Sequence, residues 1–207
     1  TGAGGLVKEG LGFQTLSGAG SVDYTGSTVI NGGTLRLLKS FASSAITVNN
    51  GTLVTGISAV IPDATVVTLG GSGAAWTINN TFSETIGGLA SGVGSLLNLG
   101  TGTSSTGVAL TIDDSGGSPR VANGVITGVN AQLIKTGTNG LTLGGGNSFN
   151  GPLTILNGVV TLSVATPNIG GVLNDKVDVT IANSATAGLT LGSDETIGSL
   201  NGGGALG

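Results

Sequence analysis

A sequence that repeats itself restricts its fold more than any single motif does. Residues 133 to 162, LIKTGTNGLTLGGGNSFNGPLTILNGVVTL, are a near-copy of residues 6 to 37, LVKEGLGFQTLSGAGSVDYTGSTVINGGTLRL. Lys8 pairs with Lys135, Gly10 with Gly137 and Leu16 with Leu143 at an offset of 127, while Tyr24 pairs with Phe149, Gly26 with Gly151 and Leu37 with Leu162 at an offset of 125. The two-residue slip falls in a Gly-rich segment, where a loop absorbs it. Each copy consists of short alternating runs such as Gly140-Leu141-Thr142-Leu143, punctuated by Gly and Asn, and none of it has helical spacing. Units of this kind pack chiefly on their neighbours and stack into an elongated body.

A shorter period lies inside the first copy. Thr28-Val29-Ile30-Asn31-Gly32-Gly33-Thr34-Leu35 is answered 18 residues later by Ile46-Thr47-Val48-Asn49-Asn50-Gly51-Thr52-Leu53. Eighteen residues suffice for one coil of three short strands and three turns, so the expected fold is all-β: a single-stranded parallel β-helix, or β-solenoid, with coils of about 18–22 residues. Around ten such coils at ~4.8 Å make a rod roughly 50 Å tall. Thr1-Gly2 matches Thr127-Gly128, which divides one continuous solenoid into a first unit at 1–126 and a second, incomplete unit at 127–207. Ser83-Glu84-Thr85-Ile86-Gly87-Gly88-Leu89 returns as Asp194-Glu195-Thr196-Ile197-Gly198-Ser199-Leu200 at an offset of only 111, so the second unit lacks about one coil between Leu162 and Val177.

The corners explain the glycine and asparagine. A strand leaves its face sharply where a residue takes positive φ, which Gly does freely and Asn tolerates. Asn31-Gly32-Gly33, Asn49-Asn50-Gly51 and Asn157-Gly158 sit at such bends, and corner amides stacked in register are placed to hydrogen-bond along the rod.

Composition agrees with a narrow core. The chain is 38% apolar and 8% charged, too hydrophobic to remain disordered, and with 3% aromatic residues it must fill its interior with branched aliphatics. The net charge of −4, with scattered Lys and Arg, offers no basic patch for nucleic acid. Cys, His and Met are absent, which removes thiolate and imidazole metal ligands and redox chemistry, and no cofactor is implied. Residues 85 to 112 carry no charge, yet Gly and Ser interrupt them too often for a membrane-spanning helix. Thr1 begins inside the repeat and Gly207 ends in mid-pattern, so the chain is expected either to be cut from a longer one or to meet another copy head to tail.

The pattern formed by Leu133, Lys135, Gly137, Leu141, Leu143, Gly145, Asn147, Phe149, Gly151, Asn157 and Gly158 resembles the autotransporter-associated β-strand repeat of bacterial passenger domains. The first copy departs from it at Gly12-Phe13-Gln14-Thr15-Leu16 and at Gly20, which stands in the Asn position. The resemblance implies a right-handed parallel β-helix, secreted or displayed on the bacterial cell surface, that serves as stalk, scaffold or adhesive surface. Its partners would be flanking repeats or other copies, end to end, and host or matrix glycans or proteins. The repeat positions to follow are Lys8, Gly10, Tyr24, Gly26, Asn31, Gly33, Lys135, Gly137, Asn147, Phe149, Gly151, Asn157 and Gly158.

Catalysis has one candidate. Asp113-Asp114 with Arg120 is a close acidic pair beside a cation, the raw material of glycosidic cleavage or uronate elimination. The competing reading makes Asp113-Asp114-Ser115-Gly116-Gly117-Ser118-Pro119 a solvated turn, and no G-x-S-x-G elbow or calcium-binding G-G-x-G-x-D repeat occurs. Asp194-Glu195 reads as an exposed corner. Lys8 and Lys135 read as charged side chains on an exposed strand or corner that discourage lateral sheet pairing. Phe13, Tyr24, Phe41, Phe82 and Phe149 read either as a sugar-stacking stripe or as plugs for coil layers.

Overall fold

A computed structural model describes residues 2–20, 22–100, 107–164 and 171–202. Its strands follow the alternation of β-branched and leucine side chains with Thr or Ser, and each ends where Gly or Asn lets the chain bend. The first three turns carry two strands each: β1 (Leu6–Lys8) and β2 (Phe13–Leu16), β3 (Thr28–Ile30) and β4 (Thr34–Leu37), β5 (Ala45–Val48) and β6 (Gly51–Thr55). The next three carry three: β7 (Val66–Leu69), β8 (Ala74–Ile78) and β9 (Ser83–Ile86), then β10 (Gly88–Ser91), β11 (Leu96–Leu99) and β12 (Ala109–Asp113), then β13 (Arg120–Ala122), β14 (Val125–Thr127) and β15 (Gln132–Thr136). The last three return to two: β16 (Leu141–Leu143) and β17 (Leu153–Ile155), β18 (Val159–Leu162) and β19 (Asp178–Ile181), β20 (Gly188–Leu191) and β21 (Ser199–Gly202).

These strands form three parallel sheets. A long sheet of nine strands runs the whole height in the order β1-β3-β5-β7-β10-β13-β16-β18-β20. A lower sheet, β2-β4-β6-β8-β11-β14, flanks it in turns one to six, and an upper sheet, β9-β12-β15-β17-β19-β21, flanks it in turns four to nine. The fold is the expected parallel β-solenoid, with nine turns spanning about 40 Å at the usual strand spacing. The 18-residue offset is the true register, since Thr28 pairs with Ile46 and Leu35 with Leu53, both in parallel.

Two expectations need correction. Among the described residues, three strands per coil holds only in the middle three turns; on the strandless side of the first turns the chain makes isolated bridges, Gly2 to Tyr24 and Val22 to Phe41. Coil length is also uneven. Partners on the long sheet lie 22, 18, 21, 22, 31, 21, 19 and 29 residues apart from turn to turn. The two long coils carry their extra residues in the connections between β11 and β13 and between β18 and β20, outside the paired strands.

The core is a set of inward columns. On the lower sheet Leu35, Leu53, Trp76, Leu97 and Ile126 stand one above another, all buried. On the upper sheet Leu110, Leu133, Leu153 and Val179 do the same. Each such side chain taken fully from water contributes about 1.5–3 kcal/mol. The strandless side is filled by aromatic rings: Phe41 is buried beside Tyr24 at 6.0 Å between centroids, and Phe149 is fully buried in turn seven.

Candidate functional site

The side chains with chemical potential lie at the corners, and the repeat determines how they are used. Lys8 is the last inward residue of β1 and Lys135 holds the same position near the end of β15, in columns otherwise aliphatic: Lys8 pairs with Ile30, and Lys135 lies between Ile112 and Ile155. Lys135 is 0% exposed. Its stem lies in the core, and its ammonium turns back to donate to the carbonyls of Thr136 and, at 2.7 Å, Gly137. Lys8 donates to the corner carbonyls of Glu9, Gly10 and Gly32 at 2.7, 2.9 and 3.1 Å. The expectation of an exposed, sheet-blocking lysine is therefore corrected, because in both copies the ammonium satisfies carbonyls that a sharp corner leaves without partners. Burial pulls the Lys135 pKa down, against the attraction of Asp114 and then Asp113.

The glycines of the two copies share geometry as well. Gly10 and Gly137 have φ of 70° and 77°, and Gly33 and Gly158 have 66° and 71°. Gly33 stacks on the carbonyls of Gly10 and Gly12, and Gly158 on those of Gly137 and Asn139, so closely that a Cβ on either would approach within 2.6 Å or less. Gly26 and Gly151 lie equally tight over the backbone of residues 3–4 and 130–131. At the first corners Asn49 donates to Asn31 at 2.8 Å and Asn31 to Glu9 at 2.7 Å, a short ladder of the expected kind. Asn157 is half-buried and accepts from the Gly158 N–H and from Thr186.

Asp114 is buried, not part of a solvated turn. One carboxylate oxygen accepts from Arg120 Nε at 3.0 Å and the other from Asn139 Nδ2 at 3.1 Å, while its backbone carbonyl accepts the Asn139 N–H at 3.0 Å. Asp113, its exposed neighbour, accepts from Ser115 at 3.2 Å. The acidic pair is thereby split: one carboxylate is saturated within the stack and the other lies in solvent.

Three further side chains bond backbone groups at or beyond the ends of the short sheets. Glu84 lies in β9, the lowest strand of the upper sheet, and the segment beneath it is not a strand. Its buried carboxylate reaches down to accept the Val60 and Ile61 N–H groups at 3.2 Å. Burial pushes its pKa up to about 7, against those two hydrogen bonds and with a smaller push from Asp63. Glu195 does the same five turns higher, accepting the Val172 and Leu173 N–H groups at 2.6 and 3.0 Å, so it is a half-buried structural group and not the exposed corner expected. Asn147 covers the upper edge of the lower sheet. It accepts the Ile126 N–H at 2.8 Å and donates to Gly145 and Val172 carbonyls at 2.9 Å, joining three turns.

The four phenylalanines and Tyr24 form no stripe. Phe41 and Phe149 are interior, Tyr24 and Phe82 are half-buried against the core, and only Phe13, 62% exposed, faces outward. The Tyr24 hydroxyl bonds Thr28 Oγ1 at 2.7 Å, and burial raises its pKa against that bond. Outward positions of the long sheet instead form a neutral column, Val7, Val29, Thr47, Thr68 and Ala90, continued by Val121, Thr142, Thr161 and Thr190.

Fold and corners together define a repeat-built parallel β-solenoid. Residues 6–37 and 133–162 both match the model of the passenger-associated-transport-repeat family. The solenoid thus contains two segments, together less than a third of the chain, that are similar to this repeat. No curated protein and no solved structure matches it significantly.

Proposed function

We propose that this chain is a non-catalytic rod segment of an exported bacterial passenger, a stalk or scaffold held at or beyond the cell surface. The observation that carries this reading is the use made of its polar interior. Asp114, Lys135, Glu84 and Asn147 are the groups best placed for chemistry, and each is spent on hydrogen bonds between turns or at their corners. The sides of the rod, including the neutral threonine column, are the surface it offers to glycans or proteins of a host or matrix.

Negative-stain electron microscopy of the purified chain tests the rod directly. Isolated particles about 40 Å long support a segment of a stack. Long thin fibres would favour a subunit that polymerises head to tail, and compact spheres would contradict both. Cleavage of any polysaccharide, lost in Asp114→Ala with the rod intact, would overturn the non-catalytic reading.

A further inference from the structure

An asparagine loses its side-chain amide most readily when glycine follows it, because the glycine nitrogen can turn onto the preceding Cγ with no side chain in the way. The chain holds seven Asn-Gly pairs, at Asn31, Asn50, Asn123, Asn139, Asn150, Asn157 and Asn201. Six have their reacting groups engaged elsewhere. The amide nitrogen of Asn31 donates to Glu9, that of Asn139 to Asp114 and Gly117, and that of Asn201 to Ser199. The Asn150 side-chain oxygen is held by the Asn130 N–H. The Gly51 N–H donates to the Gly73 carbonyl at 2.6 Å and the Gly124 N–H to Ser91 Oγ at 3.0 Å, which keeps both nitrogens protonated and turned away.

Asn157 is arranged differently. The Gly158 N–H donates to the side-chain oxygen of Asn157 itself, at 3.0 Å, so the Gly158 nitrogen already lies against the amide it would attack. The same oxygen accepts the Thr186 hydroxyl from the next corner up, and the amide nitrogen has no acceptor among the described residues. On the other side of the corner, the Lys135 ammonium lies 3.0 Å from where a Cβ on Gly158 would stand. A cation there favours the ionised glycine nitrogen, and a hydroxyl on the amide oxygen favours the oxyanion that forms when that nitrogen adds.

We propose that Asn157 is a site of spontaneous covalent modification, converted by the fold's own groups to an aspartyl or isoaspartyl residue. The Gly158 nitrogen gives its proton to a solvent base and bonds to the Asn157 Cγ. The Cγ–Nδ2 bond then breaks, and the amide leaves as ammonia after taking a proton from water. Water adds to either carbonyl of the cyclic imide that results, the ring C–N bond at that carbonyl breaks, and a free carboxylate is released. The net change is water consumed and ammonia lost, with no oxidant or cofactor. Either product places a negative charge at the corner that holds the Lys135 ammonium. The isoaspartyl form also lengthens the main chain by a methylene, where Gly158 stacks so tightly that the Gly137 and Asn139 carbonyls lie 2.6 Å from a Cβ.

Mass spectrometry of peptides from the full chain, incubated in mildly alkaline buffer with a parallel sample unfolded in urea, tests this site by site. In the folded chain, conversion at Asn157 should run about tenfold faster than at Asn31, Asn123 or Asn139, and both aspartyl and isoaspartyl products should appear. In urea, where the corner no longer exists, that lead should vanish. Thr186→Val, at an exposed position, should slow conversion at Asn157 severalfold and leave the other pairs unchanged. Equal rates at Asn157 and Asn31 in the folded chain would overturn the proposal. So would a lead that survives in urea, since the local sequence and not the fold would then be its cause. A Thr186→Val chain that converts at the wild-type rate would likewise contradict the assigned arrangement.

Discussion

Lys8 and Lys135 hold the same position in the repeat yet stand on different sheets, Lys8 on the long sheet and Lys135 on the upper one. The rest of the unit moves with them. Strands β1 and β2 lie on the long and lower sheets, and their counterparts β15 and β16 lie on the upper and long sheets. Glu84 and Glu195 are displaced in the same sense, from the upper-sheet side to the side the lower sheet occupied. The second unit is therefore the first turned by one side of the prism. A turn needs two strands and a filled third side, and which sheet supplies each is free.

The lysine latch should matter most where it is buried. Lys135→Ala leaves the Gly137 carbonyl unpaired and opens a cavity in an aliphatic column, a loss of about 2–4 kcal/mol. Lys8→Ala, at the open mouth, should cost about 1 kcal/mol or less. Denaturant midpoints of the two variants measure the difference, and equal losses would contradict the latch.

Glu84 makes stability depend on pH in a defined direction. Its carboxyl titrates at about 7 in the folded chain against 4.5 for the free group, so the folded state binds the proton more tightly. That contribution is fully present below pH 4.5 and is lost as pH rises through about 7. The shift corresponds to on the order of 3 kcal/mol, or roughly 5–10 °C in melting temperature for a chain of this size. Wild type should melt higher at pH 5 than at pH 8, and Glu84→Gln should flatten that slope while Glu195→Gln leaves most of it. An unchanged slope in Glu84→Gln would show that another group is responsible.

Asn147 joins turns six, seven and eight, so Asn147→Ala strands the buried Ile126 N–H and one bond to the Val172 carbonyl. A loss of about 2–3 kcal/mol is expected. Hydrogen exchange should locate the damage at β14, with β3 and β5 unaffected. Asn157→Ala, at a half-buried corner where the side chain accepts from Gly158 and Thr186, should cost less, about 1 kcal/mol.

Corner glycines divide into those that need to be glycine and those that do not. Gly158 combines a φ of 71° with carbonyls 2.6 Å from any added Cβ, so Gly158→Ala should cost about 2 kcal/mol or more. Gly140 has only Pro119 and the Val159 carbonyl beyond 3.5 Å, and Gly140→Ala should be near neutral. Thermal melts of both variants check the contrast, which similar losses would remove.

Much of this fold could be read in the sequence. The 18-residue offset marked the parallel register between β3 and β5 because inward positions recur at the same parity, Thr28 with Ile46 and Ile30 with Val48, and a one-residue slip would turn them outward. The burial of Lys135 was also legible, since Leu133 and Lys135 share parity in one strand, and the same holds for Glu84 and Ile86. Charge type obscured that signal. The partners of Asp114 could not be read, for Arg120 and Asn139 reach it across corners whose geometry no local pattern sets. Nor could the rotation, because coils of 31 and 29 residues break the link between sequence distance and side of the prism.

Paired cysteines test that rotation most directly, in a chain with no cysteine of its own. Thr142 lies in register with Val121 on the long sheet, so Val121→Cys with Thr142→Cys should form a disulfide on mild oxidation. An unrotated repeat would instead set β16 over β14, within reach of Thr127. Rapid cross-linking of the 121–142 pair and none of Thr127→Cys with Thr142→Cys is the outcome the turned unit requires. The reverse would contradict it.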